Sequence, residues 1–283
     1  MAVTTGPIWV PAPNPVIPRY GLFSVATGPL DLPIHGRGGG LQYQTGTCTL
    51  PVGYEVNCQE NHETKEFATS ITTHTGLPFV VFSSVECGTV GLVNHGQDHV
   101  RKFLYEQLVA GEQSTVESIF STSGFGQGGG LANNPATVNL GTAADVVDAV
   151  GTLEEWLYGL YGLPGVLHVP MIAAAYVKSA HLVEKDTPID PWRTVPATKV
   201  SFGNYAGLNP TGGPPAAGST WIYITGQVAV WRTSDAELPN IPIGQVINRE
   251  TNTIDIVMER EYVITYDCFS AGIETVLALP GGA

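Results

Sequence analysis

A single long amphipathic stretch, Gln97 to Phe120, stands alone among segments patterned for strands or for extended chain. Val100, Leu104, Leu108, Val116 and Phe120 recur at helical spacing, with Phe103 and Ile119 beside them, so one apolar stripe runs the length of the segment. At 1.5 Å per residue such a helix spans roughly 36 Å. Asn94 with Gln97 three residues on reads as a capping pair at its start. Gly111 lies inside it; an interior glycine weakens a helix by about 1 kcal/mol relative to alanine, so this position reads either as a tolerated glycine or as a bend point. Glu112 falls on the apolar stripe, and the sequence names no partner for it.

What surrounds the helix is ordered just as distinctly. Pro7, Pro11, Pro13, Pro15, Pro18, Pro29 and Pro33 are too closely spaced for a helix or a central strand, so residues 1–40 read as an extended arm. The arm carries Ile8, Trp9, Val10, Tyr20, Leu22 and Phe23, which predicts that it lies on a surface, its own body's or a neighbour's. Gly36–Gly40 forms a joint. Leu41 to Thr75 is strand-like, is broken at Pro51-Val52-Gly53 and is polar from Gln59 to Glu66, the pattern of a projecting hairpin. Phe79-Val80-Val81-Phe82 reads as a buried strand. After the glycine-rich loop at 124–130, Thr142 is expected to cap a helix that runs to Tyr161, buries Val146, Val150, Leu153, Leu157 and Leu160, and stops at Gly162 and Pro164. Gly165–Val169 and Lys199–Phe202 read as short strands, with a helix opened by Pro170 between them and running to about His181. Trp221–Arg232 reads as a strand pair or as one strand bulged around Gly226. Thr253–Tyr266 holds the longest alternation: Ile254, Ile256 and Met258, then Tyr262, Ile264 and Tyr266 after a phase change near Glu259.

Composition limits what such a chain does. Its 283 residues are 43% hydrophobic and only 13% charged, which suits a protein whose surface is largely covered by other subunits, and also a β-rich, glycine-rich fold. A formal net charge of −13 opposes tight nucleic-acid binding, which needs lysine and arginine to displace counterions; enclosing DNA without gripping it remains compatible. The best apolar runs, Leu77–Val93 and Leu163–Val177, are interrupted before they reach membrane-spanning length. Met1–Thr5 lacks the basic-then-apolar pattern of a secretory signal, so the expected setting is the cytoplasm, and the thiols of Cys48, Cys58, Cys87 and Cys268 are expected to be reduced.

Groups able to carry chemistry are present but poorly arranged. His95 and His99 have a zinc-compatible spacing, yet Gly96 occupies the place of a metalloprotease glutamate. Asp145, Asp148, Glu154 and Glu155 share the solvated side of one helix. His168 sits in the apolar run Val166–Val169 and reads as a core or interface histidine. Cys48, Cys58, His62 and His74 match no metal-binding spacing. Gly124–Gly130 is not followed by the Lys-Ser or Lys-Thr of a phosphate cradle, and no Gly-x-Ser-x-Gly elbow occurs. No catalytic, cofactor or metal site is expected, and the chain does not read as an enzyme.

The order of parts, with the stretches Leu108–Gln113 and Val116-Glu117, Gly165–Pro170, Thr220–Gly226, and Glu259–Ile264 with Asp267-Cys268, resembles the major capsid proteins of tailed bacteriophages, closest in character to those of actinobacterial phages. The resemblance implies the α+β Hong Kong 97-type fold, shared with encapsulin nanocompartments. It assigns an N-terminal arm at 1–40, an extended hairpin loop at 41–76, a peripheral domain at 77–135 with a spine helix at 97–120, an axial α/β domain at 136–240, and return strands of the peripheral domain at 241–283. It implies hexamers and pentamers tiling an icosahedral shell around double-stranded DNA, with scaffolding, portal and decoration proteins as further partners and no membrane. A built-in scaffolding segment ahead of the arm is not expected; a separate scaffolding protein, or none, is expected. Lys65 is the one lysine of the hairpin region, and no motif supports carrying over the lysine cross-link of some relatives. The alternatives are an encapsulin-like compartment and another virion component, a decoration or tail protein.

Overall fold

The structure, a computed structural model, describes residues 16, 19–45, 48, 50, 72–122, 130–238, 244–248 and 253–278. The distal part of the expected hairpin, with Cys58, His62 and Lys65, and the first fifteen residues of the arm lie outside the described residues.

The second half of the arm lies on the chain's own body. It forms helix α1 (Leu22–Val25), strand β1 (Thr27–Asp31) and a 3-10 turn (Ile34–Gly36), and it buries Leu22, Val25 and Leu32. Strands β2 (Leu41–Thr45) and β3 (Thr72–Gly76) then pair antiparallel from Leu41↔Gly76 to Thr45↔Thr72, forming the root of a hairpin.

Strand β4 (Phe79–Gly88) leads directly into helix α2, Thr89–Thr122. The helix thus begins before Gln97, and Asn94 lies within it instead of capping it. Its 34 residues make it about 51 Å long. The expected stripe is present: Val100, Leu104, Leu108, Val116 and Phe120 are buried, whereas Phe103 is half exposed. They pack on a five-stranded sheet whose axis is β12 (Thr253–Tyr266). Along one edge β12 pairs antiparallel with β4 over ten residue pairs. Along the other it pairs with β11 (Gly244–Asn248) and then with β10 (Val228–Arg232), and β1 adds to β10 in parallel.

A second sheet has the order β5-β13-β9-β6-β8-β7: β5 (Val138–Ala143), β6 (Val166–Pro170), β7 (Trp192–Arg193), β8 (Lys199–Gly203), β9 (Ser219–Thr225) and β13 (Ser270–Val276). Helices α3 (Val146–Tyr161) and α4 (Met171–Ser179) share its core. Asp145, not Thr142, caps α3: its carboxylate accepts from the backbone N–H of Val147 at 2.8 Å and of Asp148 at 3.0 Å, while Thr142 lies in β5. Gly162, at φ 68°, ends the helix as expected. Leu160 is exposed, and Tyr161 takes its place in the core.

The two sheets are joined where two adjacent strands bend together. β9 runs into β10 through Gly226-Gln227, and beside it β12 runs into β13 through Asp267–Phe269. The Gly226 N–H donates to the Phe269 carbonyl at 3.1 Å, and the Asp267 N–H to the Gln227 carbonyl at 2.9 Å. A Cβ on Gly226 would lie 2.2 Å from the Asp267 carbonyl oxygen, so the crossing requires glycine. Trp221–Arg232 is therefore two strands in two sheets, not one bulged strand. β10 therefore belongs to the five-stranded sheet on which α2 packs, and β13 to the six-stranded sheet.

Candidate functional site

The long helix is fastened to its sheet by charge as well as by its stripe. β12 shows no phase change at Glu259. Ile256, Met258, Arg260, Tyr262 and Ile264 all face the core on one parity, and the interruption of the apolar pattern is Arg260 itself, fully buried. Glu112 receives it. The Glu112 carboxylate pairs with Arg260, with Arg232 at 2.5 Å, and accepts from the Tyr262 hydroxyl. Asp235 pairs with both arginines, at 2.9 Å from Arg232. Burial lowers the Arg260 pKa, but Tyr262, Glu112 and Asp235 together raise it further, so the guanidinium stays charged. Burial, with the Glu112 charge beside it, pushes the Tyr262 hydroxyl up, so it stays neutral.

One turn and a half further along, Glu117 joins three parts of the molecule. One carboxylate oxygen accepts from the Leu22 N–H of the arm at 2.8 Å, and the other from the Asn204 N–H after β8 at 2.8 Å. The Phe202 N–H donates to the Tyr20 carbonyl at 2.8 Å, and Lys199 Nζ to the Val25 carbonyl at 3.0 Å. Gly21 and Gly203 flank the carboxylate; a Cβ at either would come within 2.4 Å of it. Burial raises the Glu117 pKa, opposed by the two backbone N–H groups.

The hairpin root is tied down at the β12–β13 bend. The Tyr43 hydroxyl donates to the Tyr266 carbonyl at 2.9 Å, and the Tyr161 hydroxyl to the Asp267 carboxylate at 2.7 Å. Cys48 and Cys268 form a disulfide, against the expectation of reduced thiols. Cys48 thus pairs with a residue 220 positions away and not with the neighbouring histidines. His74 Nε2 instead meets the Thr45 hydroxyl at 3.1 Å.

The remaining candidate residues are dispersed. His95 and His99 lie on α2. Asp148 accepts from the Ala144 N–H at 3.1 Å, Glu154 accepts from the Thr194 hydroxyl, and Glu155 is exposed. His168 is fully buried, with Nδ1 3.2 Å from the Tyr205 hydroxyl, Nε2 2.9 Å from the Thr225 hydroxyl, and the Phe120 ring edge-on at 5.3 Å. Burial holds its pKa down to about 3, so it is a neutral core group. Meanwhile large apolar side chains face outward: Phe82 on β4, Phe103 on α2, Tyr158 on α3 and Leu163 just after it, and Met171 and Ile172 on α4. Among the described residues no helix is long and apolar enough to cross a membrane.

No known family model matches the sequence, and no curated protein matches it. Solved structures do. The capsid of a native GTA particle superimposes with a TM-score of 0.59 at 10% identity, covering 97% of this chain and 96% of that one. A structure of Mycobacterium phage Che8 gives 0.53 at 11%, covering 96% and 98%. An encapsulin complex from Synechococcus elongatus gives 0.52 at 13%, covering 98% and 94%. The fold is that of protein-shell subunits. It is the Hong Kong 97-type fold, which these capsid and encapsulin subunits share.

Proposed function

We propose that the chain is a major capsid subunit that assembles with copies of itself, as hexamers and pentamers, into an icosahedral shell enclosing double-stranded DNA. The observation that carries this reading is coverage in both directions: capsid subunits match this chain almost end to end and are themselves matched almost end to end, which a decoration or tail protein sharing one module would not produce. The exposed apolar side chains and the hairpin root support it. Under this reading α2 is the spine helix, the β12 sheet forms the peripheral domain, and the β9 sheet with α3 and α4 forms the axial domain. The hairpin and the start of the arm reach neighbours, the work is structural and not catalytic, the site of action is the virion after assembly in the host cytoplasm, and scaffolding, portal and decoration proteins are the remaining partners.

Electron microscopy of the purified protein tests this. Closed shells or ring-shaped capsomers are expected. Monomers alone, across a wide range of salt and protein concentration, would refute it. The match to an encapsulin supports a second reading, a compartment loaded with protein; nuclease-protected DNA inside the particles favours the first, and a stoichiometric second polypeptide without DNA favours the second.

A further inference from the structure

Three side chains at the hairpin root form a chain that ends on sulfur: His74 Nε2 lies 3.1 Å from the Thr45 hydroxyl, which lies 2.9 Å from Cys48 Sγ. The Tyr43 ring lies tilted beside His74, with centroids 5.5 Å apart. The partner sulfur sits in the opposite environment, because Cys268 Sγ lies 3.0 Å from the Asp267 carboxylate. A hydroxyl that can donate favours a thiolate, and a neighbouring carboxylate disfavours one. Both cysteines are half-buried, within reach of small molecules.

We propose that Cys48 and Cys268 are a redox lock on the hairpin, with Cys48 as the attacking thiolate, Cys268 as the resolving thiol, and a low-molecular-weight disulfide as the oxidant. The Cys48 proton passes through the Thr45 hydroxyl to His74. The thiolate then attacks one sulfur of the small disulfide, forming a mixed disulfide and releasing one small thiolate. Cys268, on losing its proton, displaces the second small thiolate from Cys48. The two cysteines are oxidised, the small disulfide is reduced to two thiols, and the Cys48–Cys268 bond remains. A reducing cytosol holds the pair open. The hairpin root is then retained by hydrogen bonds such as Tyr43 to Tyr266, and it becomes covalently tied to the β12–β13 bend once the protein meets an oxidising medium. That timing rests on the shell reading; the chemistry of the pair does not.

The test uses full-length protein, fully reduced and then exposed to glutathione disulfide. Thiol alkylation and peptide mass spectrometry are expected to show a peptide joining Cys48 to Cys268. Cys268→Ser should accumulate a glutathione adduct on Cys48, while Cys48→Ser leaves Cys268 largely unmodified. His74→Gln, which removes the group that takes the Cys48 proton, should slow formation of the Cys48 adduct about threefold. In the wild type, hydrogen exchange of the β2–β3 amides should slow on oxidation, and in Cys268→Ser it should be indifferent to oxidant. Alkylation of both cysteines after oxidation, faster modification of Cys268 than of Cys48, or β2–β3 exchange that ignores oxidation in the wild type overturns the proposal. These readouts need no assembled shell, so a chain that fails to form particles leaves them intact.

Discussion

Replacing Arg260 with methionine tests whether the long helix depends on charge. The side chain is 0% exposed and its partner Glu112 is 6% exposed, so neither charge is shielded by water. Removing one member of such a buried pair costs about 3–5 kcal/mol, chiefly because the other charge stays buried with less compensation. Here the loss falls toward the lower end. Glu112 keeps Arg232 at 2.5 Å and the Tyr262 hydroxyl, and Asp235, 52% exposed, keeps Arg232 at 2.9 Å. Arg260→Met is therefore expected to cost about 3 kcal/mol. Glu112→Gln should cost more, since it strips the neutralising charge from a fully buried guanidinium and leaves Asp235, a partner half in water, to balance it. Urea unfolding of the unassembled subunit, followed by tryptophan fluorescence, measures both, and the double variant measures their coupling. Because the cluster is buried, the costs should barely change with salt. A loss below about 1 kcal/mol for Arg260→Met, or a larger loss for it than for Glu112→Gln, would refute the reasoning.

Two glycines near the helix should respond oppositely to alanine. A Cβ added at Gly111 would point into open space, so Gly111→Ala should raise stability by about 1 kcal/mol, whereas Gly203→Ala must displace the Glu117 carboxylate and should lose about 1–3 kcal/mol; thermal melts of the two separate them, and equal shifts would be wrong for this geometry. Acid should act through His168: its folded pKa of about 3 lies below the ordinary histidine value of 6.5, so its contribution is complete above pH 6.5 and is lost as pH falls toward 3, and His168→Gln should flatten that part of the stability profile. Glu117 has the opposite sign, because its folded pKa is raised above 4.5; its contribution is present below pH 4.5 and is lost as pH rises through the raised value, a slope that Glu117→Gln should abolish. Deleting residues 1–30 removes the buried Leu22 and Val25 and the pairing of β1 as far as Leu30, at about 1.5–3 kcal/mol for each side chain; a melting temperature equal to that of the full chain would contradict the packing of the arm on its own body.

How far the fold was legible depended on whether its cause was local. The stripe of α2, the Gly162 stop of α3 and the span of β12 each rest on residues within a turn or two of one another, and each is found where periodicity puts it. Arg260 was legible in principle: it shares the parity of Ile256, Met258, Tyr262 and Ile264, and Glu112 lies on the apolar stripe of the helix. Two opposite charges placed on two core faces are natural partners, since neither is stable there alone. The bend at Gly226 was half legible. The sequence marks a break between Thr225 and Val228, but only the second strand bending beside it, at Asp267–Phe269, turns a bulge into a passage between sheets, and nothing near Gly226 encodes that neighbour. The Cys48–Cys268 pair was not legible at all. With 220 residues between them, the two sulfurs meet only because the hairpin root returns to that same bend. The features that tie the extensions to the body are thus the ones periodicity cannot reach, while the body that carries them follows from it closely.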